Sequence, residues 1–360
     1  MKATDISVAI ISLQLFVLPS ISNAAGKTFP GTWTNASTAD IPADFAIQGE
    51  FVGEIKGDDK LGCQVIALGQ GAFQAVVYPG GLPGDGWDGE NKILMDGLTK
   101  GDEIKFQPAT GNKRYVGDAP AEFSATSQFP PVGQRNYSAT LSNSTIRGTT
   151  NDGKPFEMQR TVRKSPTLGA TPPESAIVLF DGTKKDEWEG GRLDEMTRWL
   201  NTDGSHIRSK RKFHNYTLHL EFMVPFRPAA RHQERGNSGV YQNYDYEIQV
   251  LDSFGLEGLD YECGGIYSQA GVAVNMCYPP LTWQTYDIDL TNAVVGEDGR
   301  KKKNAVITVR HNGVVIHNQV ELPKKTPGSR GGAEGTPGPL MLQGHGNPLQ
   351  YRNIWIVERD

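Results

Sequence analysis

Apolar and polar residues alternate along many short stretches of this chain, which is the pattern of half-buried β-strands. In residues 246–250, three large apolar side chains alternate with Glu247 and Gln249. A polar turn joins this strand to the preceding run at 236–241, so the two predict a hairpin. Same-face residues of a strand lie about 6.5–7 Å apart. We therefore expect one small ligand to contact Glu247, Gln249 and Asp252, which follows the strand.

Two other segments have the same asymmetry. In residues 217–222 the apolar side chains face one way and His219 and Glu221 the other. In 339–346 two leucines face one way, and Met341, Gln343 and His345 the other. If the apolar faces meet in one core, the opposite faces should form a single polar sheet surface. That predicted surface consists of Glu221, Glu247, Gln249, Gln343 and His345, with Arg352 of the last strand beside them.

The strands are short and the intervening loops are rich in glycine and proline, whereas regular helix is limited to a possible turn at 193–200. This pattern predicts an all-β protein. A smaller β domain is expected at 30–165, a linker at 166–175, and a two-sheet sandwich or jelly roll at 176–360. Asn312-Gly313 is a strong hairpin signal in the second region.

The composition of the chain supports an all-β protein, and its charge bears on the binding partners to be expected. The 360 residues include 42 Gly and 22 Pro, and the net charge is −5. No basic surface for nucleic acid is expected from this balance. Lys2, the apolar run Ile6–Leu18 and the small residues Ser22-Asn23-Ala24 predict a signal peptide at 1–24. We expect a periplasmic or secreted protein with no stable membrane insertion after cleavage.

The cysteines allow two interpretations. Export would permit a disulfide, and Cys263 and Cys277 could close a 15-residue loop. Free buried thiols are the alternative. Together with Cys63 these residues have no metal-binding spacing, so we predict no zinc site and no required cofactor.

Trp87 lies in the Gly- and Pro-rich segment 79–89, which cannot form a regular element. Its indole either packs this loop onto its own domain or offers a stacking surface to a sugar. Packing is the favoured interpretation.

A sheet surface with carboxylates, a histidine and amides fits carbohydrate recognition, because amides and carboxylates match hydroxyl groups in hydrogen bonding. A Glu–His pair can also perform acid–base catalysis. A non-catalytic lectin-like sandwich is the alternative, although it needs no poised base. A glycosidase with two close carboxylates is disfavoured, because Gln249 stands where a carboxylate would be needed.

Residues 176–360 resemble the 3-keto-disaccharide hydrolase family. The resemblance is carried in order by eight blocks: Leu179-Phe180-Asp181-Gly182, Leu220-Glu221-Phe222, Gly236–Tyr241, Tyr246–Ser253, Gly264–Tyr267, Trp283–Ile288, Pro339–Gly346 and Tyr351–Ile356. It implies a concanavalin-like jelly roll that cleaves glycosides already oxidised at C3. It does not extend to residues 25–165, for which it implies no function.

Such a reaction would begin with removal of the C2 proton, which the C3 ketone acidifies. Loss of the C1 substituent and addition of water would follow. The site needs a base, a group that stabilises the enolate oxygen, and an acid. The candidates are His345 or Glu247 as base, Arg352, Asn237 or Gln249 at the ketone, Glu221 or Asp252 as acid or as the group orienting the histidine, and Gln343 in substrate binding. A divalent cation held by Glu247, Gln249 and Asp252 is an alternative electrophile.

Overall fold

The computed structural model describes residues 29–57 and 60–360, so the predicted signal peptide lies outside the described residues. Within them the chain is nearly all β, which confirms the predicted class. Helix is limited to α1 (Asp44–Ile47) and 3₁₀ turns at Pro120–Glu122 and His232–Glu234. No helix among the described residues has the length and apolar character needed to cross a bilayer.

The first region forms a closed antiparallel barrel in the order β1-β10-β9-β8-β5-β4-β3-β2. Its core contains Phe51, Phe73, Phe106 and Phe156. The strands of this region are β1 (Gly49–Ile55), β2 (Lys60–Gly69), β3 (Ala72–Pro79), β4 (Ile93–Lys100), β5 (Glu103–Pro108), the short pair β6 (Arg114–Tyr115) and β7 (Phe123–Ser124), β8 (Ser138–Ser142), β9 (Thr145–Thr149) and β10 (Pro155–Thr161).

The second region is a two-sheet sandwich. Its strands are β11 (Ile177–Phe180), β12 (Trp188–Glu189), β13 (Arg192–Leu193), β14 (Leu200–Asn201), β15 (Ile207–Ser209), β16 (Asn215–Met223), β17 (Ser238–Gln242), β18 (Tyr246–Val250), β19 (Gln284–Thr291), β20 (Val294–Val295), β21 (Lys301–Lys303), β22 (Ala305–His311), β23 (Val314–Leu322), β24 (Met341–Leu342) and β25 (Gln350–Arg359). The large sheet has the order β13-β14-β25-β16-β19-β22-β23, with β11 on β25. The small sheet has the order β12-β15-β24-β17-β18.

The apolar faces of the two sheets meet in one core, as alternation in the sequence predicts. Leu218, Leu220 and Phe222 of β16 belong to this core, as do Ile248 and Val250 of β18. The polar residues of both strands therefore face outward. Those of β16 lie on the outer face of the large sheet, and those of β18 lie on the outer face of the small sheet. The outer face of the small sheet and the outer face of the large sheet lie on opposite sides of the sandwich.

Residues 193–200 differ from the predicted helical turn. Leu193 and Leu200 pair across the two-residue strands β13 and β14. Asp194 Oδ1 accepts hydrogen bonds from the backbone N–H groups of Met196 and Thr197, at 3.1 and 2.9 Å. A side chain that satisfies the backbone locally in this way favours a tight turn over a helix.

The start of the predicted linker is attached to the sandwich. Ser165 Oγ lies 2.6 Å from Thr285 Oγ1, Thr167 Oγ1 donates to Asp287 Oδ2 at 2.7 Å, and Gly169 N–H donates to Glu221 Oε1 at 2.6 Å. Residues 165–170 thus form a strap across the outer face of the large sheet.

Buried arginines also join the barrel to the sandwich. The Arg231 guanidinium donates to Leu68 O at 2.9 Å, and Arg235 donates to Ala67 O at 3.2 Å. Tyr115 of β6 hydrogen-bonds Glu262 of the sandwich.

Cys63, Cys263 and Cys277 are free and buried. Of the two interpretations of the cysteines, the structure therefore has free buried thiols.

Candidate functional site

A cavity of about 160 Å³ opens on the outer face of the small sheet. Strands β17 and β18 provide its floor, and the segment after β24 provides one wall. The cavity is lined by Gln233, Asn237, Tyr241, Glu247, Gln249, Tyr267, Pro327, Gly328, Gln343 and His345. The structure therefore brings together Asn237, Glu247, Gln249, Gln343 and His345 of the predicted site residues.

Glu247 is the buried carboxyl of this cavity, with 2% of its surface exposed. Burial raises its pKa to about 7, although a hydrogen bond from Tyr241 acts in the opposite direction. Desolvation has this effect because it penalises the charged carboxylate more than the neutral acid. At neutral pH the group can therefore either accept or donate a proton.

Tyr241 extends this proton-carrying arrangement. Its hydroxyl lies 2.7 Å from Glu247 Oε2 and 2.9 Å from Pro327 O, yet it has a single proton to donate. When the tyrosine donates to Pro327, the 2.7 Å contact is satisfied by a protonated Glu247. When it donates to Glu247, it stabilises the carboxylate. Both protonation states of Glu247 thus have a hydrogen-bonded arrangement.

Gly239 makes room for the carboxyl group. It pairs with Gln249 across the β17–β18 hairpin, and a Cβ atom at this position would lie 1.9 Å from Glu247 Oε1. A side chain here would have to displace the carboxyl. The glycine therefore sets the position of Glu247 over the strand.

Amide groups surround the carboxyl. Asn237 Nδ2 donates to Gln233 Oε1 at 2.9 Å, and the Gln249 amide reaches the same oxygen at 2.8 Å. With its amide rotated, Gln249 donates instead to Ser238 O at 3.0 Å and Glu247 Oε1 at 3.1 Å. These groups offer both donors and acceptors to a sugar hydroxyl or ketone.

His345 is exposed at the rim of the cavity. Beside it, the Arg330 guanidinium lies 3.0 Å from His206 Nε2. The pKa of His206 is lowered by partial burial, and further by Arg330 and His345. His345 thus lines the cavity, and His206 and Arg330 lie close to it outside the lining.

Glu221 and Arg352 lie elsewhere, so the expectation of a single polar surface is wrong for these two residues. Both belong to the large sheet, where Arg352 Nε donates to Glu221 Oε2 at 2.6 Å under the strap. Burial opposes ionisation of Glu221, but hydrogen bonds from His219, Asn353, Gly169 and Arg352 lower its pKa to about 2. Glu221 is therefore a fixed anion on the face opposite Glu247.

Asp252 also lies away from the cavity. Its Oδ2 accepts from Arg235 Nε at 2.7 Å, and the pair is buried near the barrel. Asp252 thus serves as the partner of Arg235, and the predicted cation-binding set of Glu247, Gln249 and Asp252 is not assembled. Among the described residues, no three His, Cys, Asp or Glu side chains are arranged as a metal cluster.

Tyr241, Tyr267, Gln233 and Arg330 were not predicted from the sequence. Tyr241 could have been predicted from the sequence, because a hairpin that closes at 243–245 places it directly opposite Glu247. Tyr267 and Arg330 lie in loops and Gln233 in the 3₁₀ turn His232–Glu234, and strand periodicity sets the position of none of them.

Comparison with known proteins agrees with the sequence resemblance. Residues 175–357 match the model of the 3-keto-alpha-glucoside-1,2-lyase-like domain. Three crystal structures from Parabacteroides distasonis ATCC 8503, each described as a proposed glycosyl hydrolase, are similar to this chain. They share 33%, 16% and 21% identity, with TM-scores of 0.48, 0.38 and 0.34.

The three alignments cover 52%, 55% and 51% of this chain and 85%, 100% and 99% of the respective structures. No curated protein matches. The match to the family model supports a carbohydrate-active function. With half of its residues matched by the family model, the chain belongs to the family of 3-keto-alpha-glucoside-1,2-lyase-like domains.

Proposed function

We propose that this protein cleaves glycosides oxidised at C3 by β-elimination followed by hydration, with Glu247 as the base. The observation that carries the proposal is a buried carboxyl with a pKa of about 7 at the floor of an amide-lined cavity. A catalytic base is most effective when its pKa lies near the working pH. The size of the cavity limits close contact to a single sugar ring.

In the first step, Glu247 removes the proton at C2, and the bonding electrons move toward the C3 ketone. Amide N–H groups of Asn237 and Gln249 stabilise the enolate oxygen through hydrogen bonds. The C1–O bond then breaks, and the departing oxygen takes a proton. The product is a sugar with a C1=C2 double bond conjugated to the ketone.

In the second step, water adds at C1 and a proton returns to C2, which gives the free 3-keto-sugar. Glu247, protonated in the first step, exchanges its proton with solvent and returns one to C2, while the attacking water gives up its proton to His345. Glu221 and Asp252 are remote from the cavity, so we assign donation to the leaving group to His345 at the rim. The Tyr241 hydroxyl lies 2.7 Å from Glu247 Oε2. It donates a hydrogen bond to Glu247 when the carboxyl is ionised and accepts one when the carboxyl is protonated.

The test is product analysis by NMR in D₂O with a 3-keto-glucoside and the corresponding unoxidised glucoside. We expect release of the aglycone from the keto form alone, with deuterium at C2 of the product. Glu247→Gln should reduce turnover at least about 100-fold, because general acid–base catalysis contributes typically 10²–10⁴-fold. Glu189→Gln changes an exposed carboxylate in the same way and should leave turnover unchanged.

Cleavage of the unoxidised glucoside without exchange at C2 would contradict the proposal and point to a conventional glycosidase. Saturable binding without turnover of either sugar would instead indicate the lectin-like function.

The apolar run Ile6–Leu18 supports export of the protein from the cytoplasm. Sequencing the N-terminus of the protein recovered from outside the cytoplasm tests cleavage after Ala24.

A further inference from the structure

A second cavity lies where the barrel meets the sandwich. It has a volume of about 320 Å³ and shares no lining residue with the cavity at Glu247. The barrel contributes loop residues around 87–92 and 126–132, and the sandwich contributes Glu257 and residues 273–275. This volume lies at the lower end of the range for small-molecule sites, which often occur between domains.

Lys92 is the most unusual group in this cavity. Only 8% of its surface is exposed, and its ammonium lies 5.1 Å from the centre of the Trp87 ring. Among the described residues, the ammonium has no hydrogen-bond acceptor and no carboxylate within 4.0 Å. Burial lowers its pKa, while Glu257 and Glu262 act in the opposite direction. The ammonium is not among the fully enclosed polar atoms that lack a partner, so it reaches the open cavity and can donate hydrogen bonds to a ligand.

Trp87 has a fixed orientation beside this ammonium. Its indole N–H donates to Asn91 O at 2.8 Å, and its ring meets Tyr78 edge-on, with the ring centres 5.1 Å apart. The residue is half-buried and lines the cavity. It therefore packs the loop, as the sequence favours, and also presents an aromatic surface to the cavity.

Further polar groups of the lining have unused hydrogen-bonding capacity. The side chains of Glu90 and Gln128 are exposed and make no hydrogen bond within the described part of the chain. Glu257 accepts from Ser127 N–H at 3.0 Å through Oε1, which leaves its second oxygen. An ammonium, two carboxylates and an amide together offer donors and acceptors, as the hydroxyl groups of a sugar require. The mixed charges disfavour a strongly anionic or cationic ligand.

From this arrangement we propose a second, non-catalytic binding site for a neutral pyranose at the junction of barrel and sandwich. The apolar face of the sugar packs against Trp87, and its hydroxyls bond Lys92, Gln128 and Glu257. The site gives the barrel a role that the chemistry at Glu247 does not require. Its existence does not depend on the reaction proposed above.

The experiment follows the indole N–H signals of the ¹⁵N-labelled protein by NMR during titration with methyl β-D-glucopyranoside, cellobiose and maltose. The Trp87 signal is identified by its absence in Trp87→Phe. We expect it to shift saturably with at least one sugar. Lys92→Met should raise the Kd about tenfold, the effect of losing a hydrogen bond to a charged group. Gln128→Ala should raise it severalfold.

Glu247→Gln should bind the same sugar with unchanged Kd, and Trp87→Phe should retain turnover of the 3-keto-glucoside. These two variants separate failure of this site from failure of the proposed reaction. Gln128 is exposed, so its substitution leaves folding intact, and thermal unfolding of each variant checks this. The proposal is overturned if no sugar shifts the Trp87 signal saturably, or if Lys92→Met and Gln128→Ala bind like the parent protein.

Discussion

Two buried glutamates in this sandwich have pKa values moved in opposite directions. Glu221 receives hydrogen bonds from its neighbours, including a backbone N–H and a guanidinium, and its pKa falls to about 2. At Glu247 the hydrogen bond from Tyr241 does not offset burial, and the pKa rises to about 7. The difference arises because hydrogen bonds to the charged form can outweigh desolvation. The sequence shows two glutamates on polar strand faces but not the number of donors around each.

Tyr241→Phe tests the pKa of Glu247 directly. The hydrogen bond from Tyr241 lowers that pKa, so its loss should raise it above 7. A base acts only when deprotonated, and the acidic limb of the kcat/KM profile should therefore move to higher pH. Tyr246→Phe removes a hydroxyl that bonds Glu334 and should leave the limb in place. A limb unchanged in Tyr241→Phe would mean that another group controls the profile.

The same shift affects stability. A carboxyl with a raised folded-state pKa stabilises the fold fully below its unfolded-state pKa, and this contribution is lost as the pH rises through the folded-state value. For Glu247 the window of loss ends near pH 7. Denaturant unfolding of the parent protein and of Glu247→Gln across this pH range measures the contribution. The parent protein should lose stability with rising pH that the variant, which has no carboxyl here, does not lose.

At the scale of the elements, alternation predicts which residues face away from the core but not which sheet carries them. Strands β16 and β25 belong to the large sheet, while β17, β18 and β24 belong to the small sheet. Sheet membership depends on pairings between strands far apart in sequence, which no local pattern reports. The polar residues of β16, β18 and β25 and of the segment after β24 were therefore predicted on one surface, although the structure has two. The core faces of β16, β18 and the segment at β24 were predicted correctly.

The β17–β18 hairpin makes a second test possible. In Gly239→Ala the new methyl group would displace the Glu247 carboxyl, whose Oε1 would otherwise lie 1.9 Å away. A displacement of about 1 Å can cost about 100-fold in rate, so kcat on a 3-keto-glucoside should fall by that order. The melting temperature is measured alongside, because the added Cβ atom would also lie 2.7 Å from Cδ and 2.8 Å from Cγ of the buried glutamate.

Gly332→Ala is the matched control for this change. Its nearest atom, Thr336 Oγ1, would lie 3.9 Å from the added Cβ atom, which is ordinary contact. We expect kcat and the melting temperature of this variant to match those of the parent protein. A Gly239→Ala variant with full activity would show that the position of Glu247 is not critical.

At the scale of the whole molecule, a small β domain and a sandwich were predicted as separate regions, but the contact between them was not. The contact depends on residues such as Ala67 and Arg235, which lie 168 positions apart and carry no shared sequence signal. The barrel itself closes through pairing of β1 with β10, which is also a long-range pairing. The sequence pattern thus predicted the strands and the linker between the two regions. The contacts between the regions could not be predicted, because they involve side chains that meet only in the folded protein.

Arg235→Met tests this joint. The substitution leaves the buried carboxylate of Asp252 without its cation, and breaking a buried pair in this way costs about 3–5 kcal/mol. The free energy of unfolding from denaturant titration should fall by that amount. Arg208→Met breaks an exposed pair with Glu189 and should cost less than about 1 kcal/mol. Equal losses in the two variants would contradict the role given to Arg235.

The strap at 165–170 has a practical consequence for dissection of this protein. Composition places the boundary within 166–175, yet Gly169 N–H is one of the donors that keep Glu221 ionised beneath it. A sandwich cut out after the proline-rich segment would lose that donor, together with the hydroxyls of Ser165 and Thr167. An excised sandwich that keeps its native outer face should therefore begin before Ser165.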